Sequence, residues 1–236
     1  MLWRHQVPAL VAAGFRVIAP DIRGYGLSDI PRHVADYRLP RLVADVVGIL
    51  DALGVEQADL AGHDWGAVIA WHLCIAHPER IRRFVALSVG HPTAYAKGPP
   101  IQKLMGYYIL AFQFRGLAER LLSRNDFALF GSLTRFPEEM PTWRADLSRP
   151  GRLTAALNIY RANLGLVLPR KKPSIPHDTL GVWSTDDFAL CEKQMLDSAR
   201  YVTGSWRYHR IDGIGHWLPL AAPEAVNSLL IEHFAA

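Results

Sequence analysis

The chain has 236 residues, half of them hydrophobic and a fifth charged, with a formal net charge of +4. That composition supports a core large enough for one domain carrying an insertion, and it excludes a disordered polymer. The modest charge comes with no nucleic-acid-binding motif, and no apolar run approaches the ~20 residues of a membrane span, so neither nucleic acid nor a membrane is an expected partner.

The first residues, Met1-Leu2-Trp3-Arg4-His5-Gln6, precede no apolar signal core. The two cysteines, Cys74 and Cys191, stand far apart in apolar contexts, which predicts buried thiols and a cytoplasmic protein. Leu2 to Ala13 has helical spacing, closed by Gly14. Residues 15–19 read as a strand ended by Pro20, followed by the glycine-rich loop Asp21–Ser28, which lacks phosphate-loop spacing. Leu39 to Leu53 is an amphipathic helix. A strand over 55–61, a helix over 67–76 and a strand over 83–89 come next. This alternation predicts a parallel sheet covered by helices. Residues 91–173 hold helical stretches and many aromatics but no convincing strand, which reads as a helical insertion. Strand–helix alternation resumes with a strand over 180–184, a helix over 190–201, a strand over 206–211 and a closing helix over 223–234. The domain expectation is therefore a core of 1–90 with 174–236, interrupted by 91–173.

At the joint between the strand at 55–61 and the helix after it stands Gly62-His63-Asp64-Trp65-Gly66. Glycines on both sides of a central residue permit a sharp turn that a β-carbon would block, pushing the central side chain out of the sheet. With serine there, the pattern is a nucleophile elbow. A carboxylate is poorly suited to attacking an ester but well suited to displacing a leaving group from saturated carbon. The plain alternative for an aspartate at a helix start is an N-cap.

Two more candidates lie just past strand ends, where open α/β sheets place their ligands. Asp186-Asp187-Phe188 follows the strand at 180–184, and Gly215-His216-Trp217 follows the strand at 206–211. The order nucleophile, acid, histidine is the one used by α/β-hydrolases. No Cys/His cluster has zinc spacing and no nucleotide fingerprint occurs, so no metal or organic cofactor is expected.

On these residues the chain resembles the epoxide hydrolase branch of the α/β-hydrolase superfamily. The matching segments are APDIRGYGLSD (19–29), AGHDWGAVIAWHLCIAHPERI (61–81), STDDFAL (184–190) and IDGIGHWLPLAAPEAVN (211–227). The resemblance implies a helical cap over 91–173 and a small apolar epoxide as substrate. It also implies Asp64 as nucleophile, His216 as base and Asp187 as the acid, in preference to Asp186 because Phe188 follows it. Tyr108 and Tyr160 match the two cap tyrosines that hold the epoxide oxygen. Trp65 matches a substrate-lining position, and its N–H would be half of an oxyanion hole. A homodimer is the oligomer this reading considers.

Haloalkane and haloacid dehalogenases share the aspartate nucleophile and stay open as rivals, as does a non-catalytic remnant. An acyl hydrolase is disfavoured because residue 64 is not serine. The family's His-Gly-x-Pro loop, which supplies the second oxyanion donor, occurs nowhere in the 236 residues. The reading is therefore of an N-terminally truncated chain, with a mis-assigned start favoured, and the expectation is low stability and weak activity.

Overall fold

The computed structural model of the chain describes residues 2–236. Among them, four strands form one sheet: β1 (Ala58–His63), β2 (Ile81–Leu87), β3 (Asp178–Asp186) and β4 (Trp206–Gly215), in the order β1-β2-β3-β4. Every pairing is parallel, with Ala61 beside Val85, Val85 beside Leu180 and Leu180 beside Arg207. The helices in chain order are α1 (Gln6–Ala12), α2 (Leu39–Ala52), α3 (Trp65–Ala76), α4 (Pro92–Ala96), α5 (Pro100–Met105) and α6 (Tyr107–Ala111). They continue with α7 (Leu117–Thr134), α8 (Met140–Leu147), α9 (Arg152–Ala162), α10 (Glu192–Leu196), α11 (Leu218–Ala221) and α12 (Pro223–Ala235).

The chain divides into two compact units. The first comprises Met1–Ala19, Val43–Met105 and Gly165–Ala236; the second comprises Pro20–Leu42 and Gly106–Leu164. Within the span 91–173, α4 and α5 thus belong with the sheet. The physical reason is a set of bonds back to the core: the Gln102 side chain donates to Ala189 O and accepts from Cys191 N, and Thr93 Oγ1 accepts from Lys172 N.

In the first unit the sheet is covered on both faces. Val85, Leu87, Leu180 and Val182 pack with Leu218, Val226, Leu230 and Phe234 of α11 and α12. On the other face Trp71 of α3 meets Phe84 edge-on at 4.8 Å and donates its indole N–H to Val89 O. Burial on both faces explains why β2 and β3 read as nearly continuous apolar runs rather than alternating ones.

Residues 15–19 were expected as a strand and form none. A strand needs a neighbour to satisfy its ladder, and no described strand pairs with this segment or with the outer edge of β1. Phe15 nonetheless packs on the α12 side of the sheet, its ring 6.3 Å from that of Phe234. The histidine-bearing strand shows the opposite discrepancy: expected over 206–211, it runs on to Gly215.

The second unit is held by polar anchors around a small core of Ala118, Leu122 and Leu157. Arg161, almost fully buried, forms a two-pronged pair with Glu119 at 2.7 and 3.0 Å and donates to Phe112 O. Burial opposes the Glu119 charge, but these bonds outweigh it and hold the carboxyl down at about 2. Arg152 ties α9 to the Asp21–Ser28 loop through Ser28 O.

Candidate active site

β1 ends at His63, and α3 begins at Trp65, so a single residue makes the whole turn. That residue, Asp64, adopts φ 48°, ψ −122°, a conformation costing ~1–3 kcal/mol for a non-glycine residue. The close approach of helix to strand explains Gly62. A β-carbon there would lie 2.6 Å from Gly66 O and 2.7 Å from Ala67 Cα, both rigid backbone. Gly66 differs from the sequence reading: a β-carbon there would meet nothing within 4 Å, because the first turn of α3 leaves that direction open. Only the strand-side glycine is sterically required.

Asp64 occupies the N-cap position, yet its side chain makes no capping hydrogen bond. The side chain keeps 36% of its surface exposed, whereas the side chains of His216 and Asp187 are 4% and 0% exposed. Crowding by protein atoms raises the Asp64 pKa, while His216 and the Trp65 main-chain N–H act in the other direction and favour the carboxylate.

β3 delivers the acid and β4 the histidine. Asp187 Oδ2 lies 2.9 Å from His216 Nδ1, and Asp187 Oδ1 accepts from the N–H groups of Ala189 and Leu190 at 2.8 and 3.0 Å. Burial disfavours its charge, but His216 and the two N–H donors prevail and lower the Asp187 pKa. Burial likewise works against a charged His216; Asp187, then Asp64, overcome it and raise the imidazole pKa. Asp186 is exposed and its carboxylate accepts from Thr185 Oγ1 at 3.3 Å. His216 Nε2 stands 4.0 Å from Asp64 Oδ1, which is near but beyond a direct hydrogen bond. Asp64, Asp187 and His216, at the ends of three different strands, are thus brought into one chain of contacts.

Two residues given no role in the sequence reading join them. His63 is buried and donates from Nε2 to His216 O at 2.8 Å. Fully buried Ser88, with φ 67°, points its hydroxyl at the same carbonyl at 3.4 Å. The signal for His63 was its place beside Asp64 in a strand otherwise apolar at its end. Nothing in the sequence announces the left-handed conformation of Ser88.

In the second unit Tyr108 of α6 and Tyr160 of α9 lie together, ring centroids 6.0 Å apart and nearly perpendicular, with Phe112 at 5.4 and 5.1 Å. The described residues contain no group of three or more His, Cys, Asp or Glu side chains arranged for a metal ion. No described helix is long and apolar enough to cross a membrane. Cys74 and Cys191 are free thiols.

The family model for the alpha/beta hydrolase fold matches residues 1–223. Epoxide hydrolase A of Mycobacterium tuberculosis is 33% identical, over 98% of this chain and 85% of its own length. The chain belongs to the α/β-hydrolase fold family, in its epoxide hydrolase branch. The AB hydrolase superfamily protein YfhM of Bacillus subtilis is 34% identical, over 98% of this chain and 84% of its own. The crystal structure of epoxide hydrolase A from Mycobacterium thermoresistibile superposes with a TM-score of 0.83 at 31% identity, covering all of this chain and 87% of that one.

Proposed function

We propose that this α/β-hydrolase converts a small apolar epoxide to a vicinal diol through a covalent ester on Asp64. The observation that carries the reading is a carboxylate, not a hydroxyl, at the elbow, facing an imidazole already oriented by a second carboxylate. Its similarity to proteins named epoxide hydrolases supports the choice of substrate class.

In this reading a carboxylate oxygen of Asp64 attacks an epoxide carbon. The ring C–O bond breaks, and the departing oxygen takes a proton from a phenol; Tyr108 and Tyr160 are assigned as the donors. Water then attacks the ester carbonyl carbon of Asp64 while passing a proton to His216 Nε2. Asp187 holds the opposite ring nitrogen and stabilises the imidazolium. The Trp65 N–H faces the Asp64 carboxyl and is assigned to the developing oxyanion. Collapse of the tetrahedral intermediate passes its hydroxyl proton to the leaving oxygen, releases the diol and restores the carboxylate, and the proton on His216 returns through water to the phenolate left by ring opening. The helices within Gly106–Leu164 take the role of cap, and Trp65 that of a substrate-lining residue. No step requires a metal or an organic cofactor.

Replacing His216 with Gln removes the base and leaves the nucleophile. An aryl or alkyl epoxide added to that variant should leave its mass on the peptide carrying Asp64. Diol formation by the parent enzyme with no adduct on the variant under single-turnover conditions overturns the covalent route. Halide release from alkyl halides in place of diol formation would move the assignment to a dehalogenase.

A further inference from the structure

His216 sits in a two-residue connection between the end of β4 and the start of α11. Such a segment is held by whatever its main chain bonds to, and here the carbonyls on either side of the His216 Cα are both engaged by side chains distant in sequence. Ser184 of β3 donates its hydroxyl to Gly215 O at 2.9 Å. His216 O accepts three donors: Leu218 N–H at 3.0 Å, His63 Nε2–H at 2.8 Å and the Ser88 hydroxyl at 3.4 Å. The last two come from the residue before the nucleophile and the residue after β2.

Each donor is itself fixed. His63 is the final residue of β1, buried, with its ring tilted against those of His216 at 4.7 Å and Trp217 at 5.8 Å. Burial drives its pKa down to about 3, so it stays neutral, and a carbonyl acceptor places its proton on Nε2. Ser88 donates its N–H to Val182 O at 2.8 Å, and its carbonyl accepts from Gln194 Nε2 at 2.8 Å. These two bonds hold it in the left-handed region, where a serine side chain is disfavoured. Backbone strain retained at a fully buried serine, with its hydroxyl aimed at the base's own carbonyl, is the pattern of a positioning device.

We propose that His63 and Ser88 are positioning residues that clamp the main chain of His216 and so set the imidazole at its distance from Asp64. His63 is covalently joined to the nucleophile, so this clamp ties base and nucleophile into one rigid piece rather than leaving them on separate loops. The proposal rests on the ester mechanism of Asp64, and its effect falls on one step. Alkylation of Asp64 needs no base, whereas ester hydrolysis needs His216 in register with water and the ester carbonyl. A shift of about 1 Å in a reacting group can cost ~10²-fold in rate.

The test measures alkylation and ester hydrolysis separately, by rapid quench with styrene oxide as probe, in parent, His63→Leu, His63→Gln and Ser88→Ala enzymes. His63→Leu should slow hydrolysis by ~10- to 100-fold, with alkylation within about three-fold of parent, so that ester accumulates at steady state. His63→Gln retains an N–H donor at similar reach and should recover hydrolysis to within about three-fold. Ser88→Ala removes a single oxygen and should slow hydrolysis by about three- to ten-fold; it carries the same test should His63→Leu fail to fold. Parent-like hydrolysis in both His63→Leu and Ser88→Ala overturns the clamp. Equal losses in both steps, or no recovery in His63→Gln, also overturn it by reducing the role to general stability. Should parent and His216→Gln form no ester at all, the ester mechanism itself falls and the clamp with it, an outcome read from those two proteins alone.

Discussion

Asp187→Asn changes one atom in a fully buried contact, and the hydrogen bonds around that atom dictate the consequence. In the parent, Asp187 Oδ2 accepts from His216 Nδ1, which leaves the Nε2 lone pair directed toward Asp64. An asparagine has one oxygen to offer. Kept where Oδ1 now accepts two main-chain N–H groups at 2.8 and 3.0 Å, it presents its NH₂ to Nδ1. Turned round, it satisfies the imidazole but sets its NH₂ against two N–H donors. The first arrangement keeps two bonds at the expense of one, and each is worth ~1 kcal/mol with a further ~1–3 kcal/mol for every buried donor left alone. The amide should therefore take the first orientation, with Nδ1 as acceptor and the proton on Nε2. That tautomer cannot accept a proton from water. The carboxylate that stabilises the imidazolium is lost as well, and together these effects should slow ester hydrolysis by ~10³- to 10⁴-fold. Alkylation should change little. The assay follows adduct mass on the Asp64 peptide after rapid quench, giving two rate constants. Hydrolysis within ten-fold of parent, or alkylation falling as steeply as hydrolysis, would refute the tautomer argument.

The same contacts set further expectations. Because Asp187 supports the charged imidazole against burial while Asp64 is an uncharged ester at this stage, the hydrolysis rate constant in the parent should climb with pH as His216 loses its proton; a pH-independent or descending profile counts against His216 as base. His63, His72 and His91 are held neutral by burial, at about 3, 4 and 4, so the unfolded chain binds more protons below ~6.5. Their contribution is complete above that pH and fades as pH falls, while the raised pKa values of His216 and Asp64 act in the opposite sense. His72→Gln should therefore make the loss of stability between pH 7 and pH 5 shallower by ~2 kcal/mol, and urea midpoints showing an unchanged slope would contradict this. Gly62→Ala drives a methyl into the first turn of α3 and should cost ~1–3 kcal/mol or more, with expression and thermal melting as the readout; a melting point equal to parent would show that the elbow has slack. Tyr108→Phe combined with Tyr160→Phe should abolish epoxide opening and leave circular dichroism unchanged. Unaltered turnover would remove both phenols from the mechanism.

How much of this was legible in the sequence varies with the kind of interaction. The order of β1, β2, β3 and β4 along the chain, and the helices between them, were legible from local pattern, short apolar runs for strands buried on both faces and helical spacing between them. Strand ends were less legible. β4 runs four residues beyond the expected end at Ile211, to Gly215, because Ser184 and the end of β3 continue to pair with it; those partners lie some 30 residues away and leave no local trace. The failure at 15–19 has the same root. Its residues favour extended backbone, but a strand is a relation between two segments, and composition reports only one of them.

The candidate site divides along a similar line. Asp64, Asp187 and His216 stood out as candidates because each lies at a strand end next to a turn, a position that a linear pattern can express. The choice of Asp187 over its neighbour rested on Phe188 alone, whereas in the fold the two carboxylates differ in direction: Asp187 is buried against His216, and Asp186 is exposed beside Thr185. His63 and Ser88 were given no role because each bonds to another residue's main chain, and a main-chain carbonyl has no letter in the sequence; only the place of His63 beside Asp64 hinted at it. The same reasoning explains the asymmetry of the two elbow glycines. A β-carbon on Gly62 would lie 2.6 Å from Gly66 O, while one on Gly66 would meet nothing within 4 Å, so the G-x-D-x-G spelling contains one glycine demanded by geometry and one that geometry leaves free. A Gly66→Ala exchange therefore belongs with the helix, where alanine is favoured by ~1 kcal/mol, and should raise stability where Gly62→Ala lowers it.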